Sequence, residues 1–289
     1  MKTVKTYLWH GGRLAAAVSV AAFLHGLSPA SASPFLDPLG TYGVLAGSAV
    51  TNTGNSVIDG NVGVSPGSAI SGFPPGTASS IDEGDAAAAQ VQLTTAYNAI
   101  ANLAPASGNP SCSTAPGVVN LTGENLGGLE LTPGVYCFDS NALLTTGSDQ
   151  LTLNDLGNSD ATFYFIIGST LTTASASSVI VTNGGGDDNI FWAIGSSATL
   201  GTTTEFVGNI LAVTSITLNT GANITCGGAL AENGAVTLDD NDISTSCPSG
   251  ASEPVPEAST LSLFGAGLLG CAVFAVYRRR KQSGADLAA

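Results

Sequence analysis

The chain has 289 residues, a formal net charge of -14 and 37 glycines. Its seven Lys and Arg residues and two histidines all lie near the ends; between Ser33 and Pro254 there is no Lys, Arg or His, while every acidic residue except Glu257 and Asp286 falls there. Such a polyanionic body lacks the cations that nucleic-acid and phosphate binding need, and it lacks the groups for a His-based triad, a Lys Schiff base or a His-ligated metal.

Residues 1–32 are predicted to be a secretory signal peptide. Lys2, Lys5 and Arg13 form the basic part, residues 14–24 the apolar part, and Ala30-Ser31-Ala32 the small-residue cleavage site. The body is then residues 33–248. Residues 35–77 alternate small, apolar and polar positions with glycines at turn spacing, as short strands would. Residues 81–104 are Ala-rich and predict a long helix. Ala86, Ala89, Leu93, Tyr97, Ile100 and Ala104 form one stripe, with Ser80 and Glu83 placed for a capping box. Its expected role is to cover one side of β-structure.

After a Pro/Ser/Gly loop at 105–118 the strand pattern resumes, with apolar runs at 161–171 and 189–195. A Thr-Leu step recurs at Thr170-Leu171, Thr199-Leu200, Thr217-Leu218 and Thr237-Leu238. Its last two intervals are about 20 residues, the signature of a solenoid whose stacked coils bury one another's apolar side. The leucines should point inward. Two hydroxyl columns are then candidates for the outside: Thr170, Thr199, Thr217 and Thr237, or Thr173, Thr202 and Thr220 with Ser175, Thr204 and Ala222 beyond.

Export suits disulfides. Cys112, Cys137, Cys226 and Cys247 allow three pairings, of which Cys112–Cys137 and Cys226–Cys247 join the pairs close in sequence. The sharper alternative, a metal site made of all four, lacks any CxxC spacing. Residues 249–257 read as a linker and sorting motif. Residues 258–289 hold an apolar run at 261–277 and then Arg278-Arg279-Arg280-Lys281, the pattern of a removable membrane-spanning segment with basic residues on the cytoplasmic side.

Two family resemblances rest on these residues. Val255-Pro256-Glu257, the apolar run and the Arg cluster resemble a PEP-CTERM sorting signal. That implies export, processing by an exosortase, a place at or beyond the cell surface, and an association with exopolysaccharide. The segments 45–76, 86–98, 126–138, 163–175, 190–201, 206–222 and 233–243 resemble the microbial ice-binding (antifreeze) protein family. That resemblance implies an all-β fold: a discontinuous right-handed β-helix of triangular cross-section with one long α-helix alongside. It also implies a partner, the ice crystal surface with its ordered water, and no cofactor.

Members of that family carry a Thr-Ala/Gly-X-Thr/Asn pattern on the ice-binding face. Here it is complete at Thr122-Gly123-Glu124-Asn125 and Thr220-Gly221-Ala222-Asn223, with near matches at Thr53 and Thr173. The second hydroxyl column contains it, so the expected ice-binding residues are Thr53, Thr122, Asn125, Thr173, Ser175, Thr202, Thr204, Thr220 and Ala222. Asp239, Asp240 and Asp242 put charge where such a face would end. Two other functions compete. A glycoside hydrolase could use Asp187-Asp188 or Asp239-Asp240 as paired carboxylates, but these sit in turns. A non-catalytic structural or adhesive protein of the cell surface or exopolysaccharide matrix would fit the sorting signal. The single GGGDDN turn at 184–189 would be its weak hint of calcium.

Overall fold

The computed structural model describes residues 39–81, 86–104, 112, 116–145, 149–158, 160–184 and 189–247. The expected signal peptide, Glu83, the Asp187-Asp188 turn, the linker and sorting motif, Cys271 and the C-terminal apolar segment lie outside the described residues. Among the described residues no helix is long and apolar enough to cross a membrane.

Parallel pairing dominates. Twenty-residue stretches recur, each giving three short strands with the same relative register. One stretch supplies Asn209–Ala212, Ile216–Leu218 and Asn223–Thr225; the next supplies Ala229–Ala231, Val236–Asp239 and Asp242–Ser244. The middle strand of each stretch joins a seven-stranded sheet, and the outer two join two arms of a fifteen-stranded sheet. The arms meet in the long strand Val57–Val64. Its second half pairs with Tyr42–Ala46, and its first half with Asp242–Ser244. Gly60 sits between the halves, where an added Cβ would lie 2.7 Å from the Gly43 nitrogen.

The order of strands is not the order of the chain. The first strands stack on the last: Val44 pairs with Ala229, Thr51 with Thr237 and Ile58 with Ile243. After Ile81 the chain passes through α1 (Ala86–Ala101), and the strand Val118–Asn120 starts again at the opposite end of the larger sheet.

Two apolar cores result. The inner one holds the inward column Tyr136, Phe165, Trp192, whose neighbouring rings stack with centroids 5.4 and 3.8 Å apart, and Phe206 tilts onto Trp192. Trp192 Nε1 donates to the Val207 carbonyl at 3.1 Å, so the buried indole has its partner. The outer core lies beneath α1, where Leu45, Leu230, Leu211, Ala193 and Ile166 meet Ala86, Ala89, Leu93, Ala96 and Ile100. Gly63 admits the start of the helix, since a Cβ there would lie 2.7 Å from the Tyr42 ring and 3.0 Å from the Ala86 methyl.

The helix covers the sheet as the stripe predicts, with two corrections. Ile81 and Ser80 belong to the strand Thr77–Ile81, which pairs with Val57–Val64, so Ser80 is not a helix cap. Tyr97 is only half-buried, and Ala96 takes the inward position instead.

Glu232 faces this seam, beside Thr94 and Tyr97 of the helix. Burial pushes it above the usual carboxylate range, although a hydrogen bond with Thr94 pulls the other way, and its Oε1 is buried without a hydrogen-bond partner. Burial first, and Glu232 second, raise Tyr97. A raised carboxyl pKa means the folded state holds the proton more tightly than the unfolded state. The stability is full below the ordinary pKa and declines as pH rises through the raised one. Glu232→Gln is therefore expected to melt like the parent at about pH 4 but higher than it at about pH 8, flattening the pH dependence of Tm measured by circular dichroism.

Candidate functional site

The seven-stranded sheet alternates strictly. In Ile216–Leu218 the outer two residues are buried and Thr217 faces out; Ala198–Leu200 and Leu171–Thr173 repeat this with Thr199 and Thr172. Cross-strand register lines these residues up. One row runs Ser71, Thr51, Thr237, Thr217, Thr199, Thr172 and Leu143 and ends at Asn125. Parallel strands place neighbours in such a row about 4.8 Å apart. Just before it runs a row of smaller residues, Ala69, Ala49, Ala235, Ser215, Ser197 and Thr170, whose backbones are bonded strand to strand. Both rows are free of charge.

The second arm of the larger sheet is its opposite. Its outward positions carry Asp59, Asp242, Glu205 and Glu130, all exposed. Asn223 Nδ2 donates to Glu205 at 3.0 Å and Asn154 Nδ2 to Glu130 at 2.6 Å, and the Ser244 and Ser246 hydroxyls reach Asp59 at 3.3 and 3.2 Å. The first arm is covered by α1. Among the described residues the threonine sheet is open and carries charge only at its rim, at Asp239.

The structure redistributes the residues expected from the sequence. Thr199, Thr217 and Thr237 share a row, but Thr170 does not. Leu171 pairs with Ala198 rather than Leu200, so Thr172 takes the place expected for Thr170. The run Leu-Thr-Thr alternates equally well in either register, and extra chain between 173 and 198 hides the shift. The favoured second column does not form a surface row. Thr173 is 4% exposed, and Thr204 and Ala222 are fully buried. All three point into the corner where the threonine sheet turns toward the acidic arm, so none can meet a flat partner.

Thr202, Ser175 and Thr220 are exposed, in the turns of that corner, and the Thr220 hydroxyl donates to Asp239. Thr53 is exposed at the sheet's rim, opposite Asp239. At the far end Thr122 braces a turn, its Oγ1 accepting from Asp139 N at 2.8 Å, while Asn125 pairs with Leu143 at the end of the threonine row and its Nδ2 donates to Thr145 Oγ1 at 3.0 Å. Thr51, Thr172 and Ser71 were not singled out by the Thr-Leu step. The signal for Thr51 was present in Val50-Thr51, the apolar-Thr step shared with Ile216-Thr217 and Val236-Thr237.

The acidic run proves local. Asp240 accepts from Asn55 N at 2.6 Å in a turn, Asp242 belongs to the acidic arm, and only Asp239 touches the rim of the threonine sheet. The cysteines pair as Cys112–Cys137 and Cys226–Cys247. Cys112, Cys137 and Asp139 lie close enough to bracket an ion, but both sulfurs are in the disulfide.

With this geometry in place, comparison with known proteins is direct. The family model described as ice-binding-like matches residues 44–244. The chain belongs to the ice-binding-like family. An ice-binding protein of Nostoc sp. (strain HG1) is 49% identical over 275 residues, covering 93% of this chain and 95% of that one. Ice-binding protein 1 of Shewanella frigidimarina is 32% identical, over 73% of this chain and 26% of the relative. Among solved structures, an ice-binding protein from an Antarctic biological consortium superposes with a TM-score of 0.63 at 40% identity, over 72% of this chain and 89% of that one. That from Antarctomyces psychrotrophicus superposes at 0.61 and 33%, over 74% and 98%. Residues 254–281 match the PEP-CTERM protein-sorting motif.

Each disulfide in this ice-binding-like domain closes a loop of 25 or 21 residues, worth about 3 kcal/mol through restriction of the unfolded chain. Cys226→Ala/Cys247→Ala is expected to lower the denaturant midpoint without changing the far-UV spectrum at low temperature, as urea titration followed by circular dichroism would measure.

Proposed function

We propose that this chain is an exported ice-binding protein that adsorbs to ice through its threonine sheet, and so inhibits ice growth and recrystallisation. Membership of the ice-binding-like family supports the class of function, and the names of the relatives in Nostoc and Shewanella frigidimarina point the same way. The observation that carries the choice of surface is the in-register row Ser71, Thr51, Thr237, Thr217, Thr199, Thr172 on a sheet whose charge is confined to Asp239 at its rim. We read the fold as a discontinuous right-handed solenoid of triangular section, whose three sides are the helix-covered arm, the acidic arm and the threonine sheet.

The mechanism needs no bond-making. Each threonine presents a methyl, around which water orders, and a hydroxyl, which hydrogen-bonds that water in place. Repeated at strand spacing on a rigid sheet, these groups hold a water layer that merges with the crystal. The acidic arm, with its strongly hydrated carboxylates, faces liquid water instead. The ice-contacting set is thus Thr51, Thr172, Thr199, Thr217 and Thr237, with Thr53, Thr202 and Thr220 at the margin. Residues 1–32 serve as the signal peptide, 249–257 as linker and sorting motif, and 258–289 as the segment removed by an exosortase.

The sorting motif also favours a second reading, a structural or adhesive role at the cell surface or in exopolysaccharide. Thermal hysteresis and recrystallisation inhibition by the purified exported protein separate the two. The ice-binding reading expects both activities. It expects Thr217→Tyr to remove most of them and Asn223→Tyr, on the acidic arm, to leave them near the parent value. A folded parent that shapes no ice crystals would leave the surface role standing.

A further inference from the structure

Seven polar side chains are buried among the described residues, and all but Asp155 gather along one corner of the fold. Ser56, Asn241, Thr204 and Ser177 each directly precede a strand of the acidic arm; Asn52 and Thr173 sit at the matching ends of strands in the threonine sheet. Elsewhere in that inward column stand Leu238, Leu218, Leu200 and Leu144. A leucine would bury more apolar surface than Thr173 does, so the buried hydroxyl is not what packing alone would select.

The hydroxyls and amide are bonded across strands. Thr173 Oγ1 accepts from Gly201 N at 2.9 Å and shares a hydrogen bond with Thr204 Oγ1 at 2.9 Å. Thr204 Oγ1 also reaches the Ala174 carbonyl at 3.0 Å and the Ser177 hydroxyl at 3.2 Å, and Ser177 donates to Ala174 O at 2.8 Å. Farther along, Asn241 Nδ2 donates to the carbonyls of Asn219 and Ala222 at 3.0 and 2.8 Å, and Asn241 N donates to Ser56 Oγ at 2.9 Å.

Outside this line the backbone is in the left-handed region at Ala176, Thr203, Gly221 and Asp240. A β-branched residue such as Thr203 at φ 54° is unfavourable unless its surroundings over-determine it. The bonds through Thr204 and Thr173 do so from the inside. They also tie the end of Leu171–Thr173 to the end of Ala198–Leu200, the two strands that carry Thr172 and Thr199.

We propose that this corner ladder, with Thr204 at its centre, is positioning machinery for ice adsorption: it fixes the spacing and planarity of the threonine row rather than touching ice. The inference rests on the assignment of the threonine sheet as the ice-facing surface. Hydrophobic packing has no preferred direction and would keep the strands together while letting their ends splay. Hydrogen bonds at fixed angles hold them in one plane.

The test is Thr204→Val, which keeps the shape and removes the hydroxyl, beside Thr204→Ser, which restores it, and Thr217→Tyr on the surface. Thermal hysteresis is measured on exported protein that circular dichroism finds folded near the freezing point, where a lowered Tm by itself has no effect. The expected result is loss of most activity in Thr204→Val and its return in Thr204→Ser. Full activity in folded Thr204→Val, with Thr217→Tyr inactive, overturns the ladder's role and leaves the surface assignment intact. Full activity in Thr217→Tyr overturns the surface assignment itself. Should Thr204→Val not fold, Thr173→Val replaces it and is read in the same way.

Discussion

Parallel pairing between residues 42–59 and residues 229–244 decides how long the threonine row is. Without it the row would stop at Thr237. With it, Thr51 continues the register and Ser71 extends it by one strand more. Both arms of the larger sheet depend on the same contact, since Val44 docks on Ala229 and Ile58 on Ile243. A repeating surface is only as useful as the number of its repeats. Here the count is set by pairing between the first strands of the body in sequence and the last.

The three surfaces divide the work by what their outward side chains are. One arm is apolar and is covered by α1 through Leu45, Leu211 and Leu230. The acidic arm holds Asp59, Glu205 and Asp242; the first two carboxylates are partnered by serine and asparagine, the described body having no Lys, Arg or His. The threonine sheet is left without apolar cover, and its only charge among the described residues is Asp239 at the rim. The inner core beneath it is graded: Tyr136, Phe165 and Trp192 in one column give way to Ile210, Ala229 and Val44 farther along.

Much of this was legible in the sequence because period and composition speak for themselves. The helix stripe, the twenty-residue repeat, the inward leucines at 171, 200, 218 and 238, and both disulfides follow from local spacing. The choice of hydroxyl column did not. Thr173 and Thr204 look like surface residues in the sequence because threonine suits both an exposed strand and a buried hydrogen-bonded corner; only partners 27 to 31 residues away reveal which they are. Thr51 was missed for a related reason. Its row-mate Thr237 lies far along the chain, and no local pattern states that the first strands join the last. Asp240 misled in the other direction, since a charged residue that bonds its own turn to Asn55 bears little on the threonine sheet beside it.

The meeting of the two ends also has a kinetic side. Hydrogen bonds such as Asn241 N to Ser56 Oγ span 185 residues. The segment around Val44 to Asp59 leaves the ribosome early and can pair with its own neighbours up to Ile81, but its pairing with the strands near 229–244 waits until those have been made. Contacts this distant in sequence slow folding. Until those last strands are made, the threonine row has no continuation from Thr237 to Thr51 and Ser71, so the surface reaches its full length only when the whole body has closed.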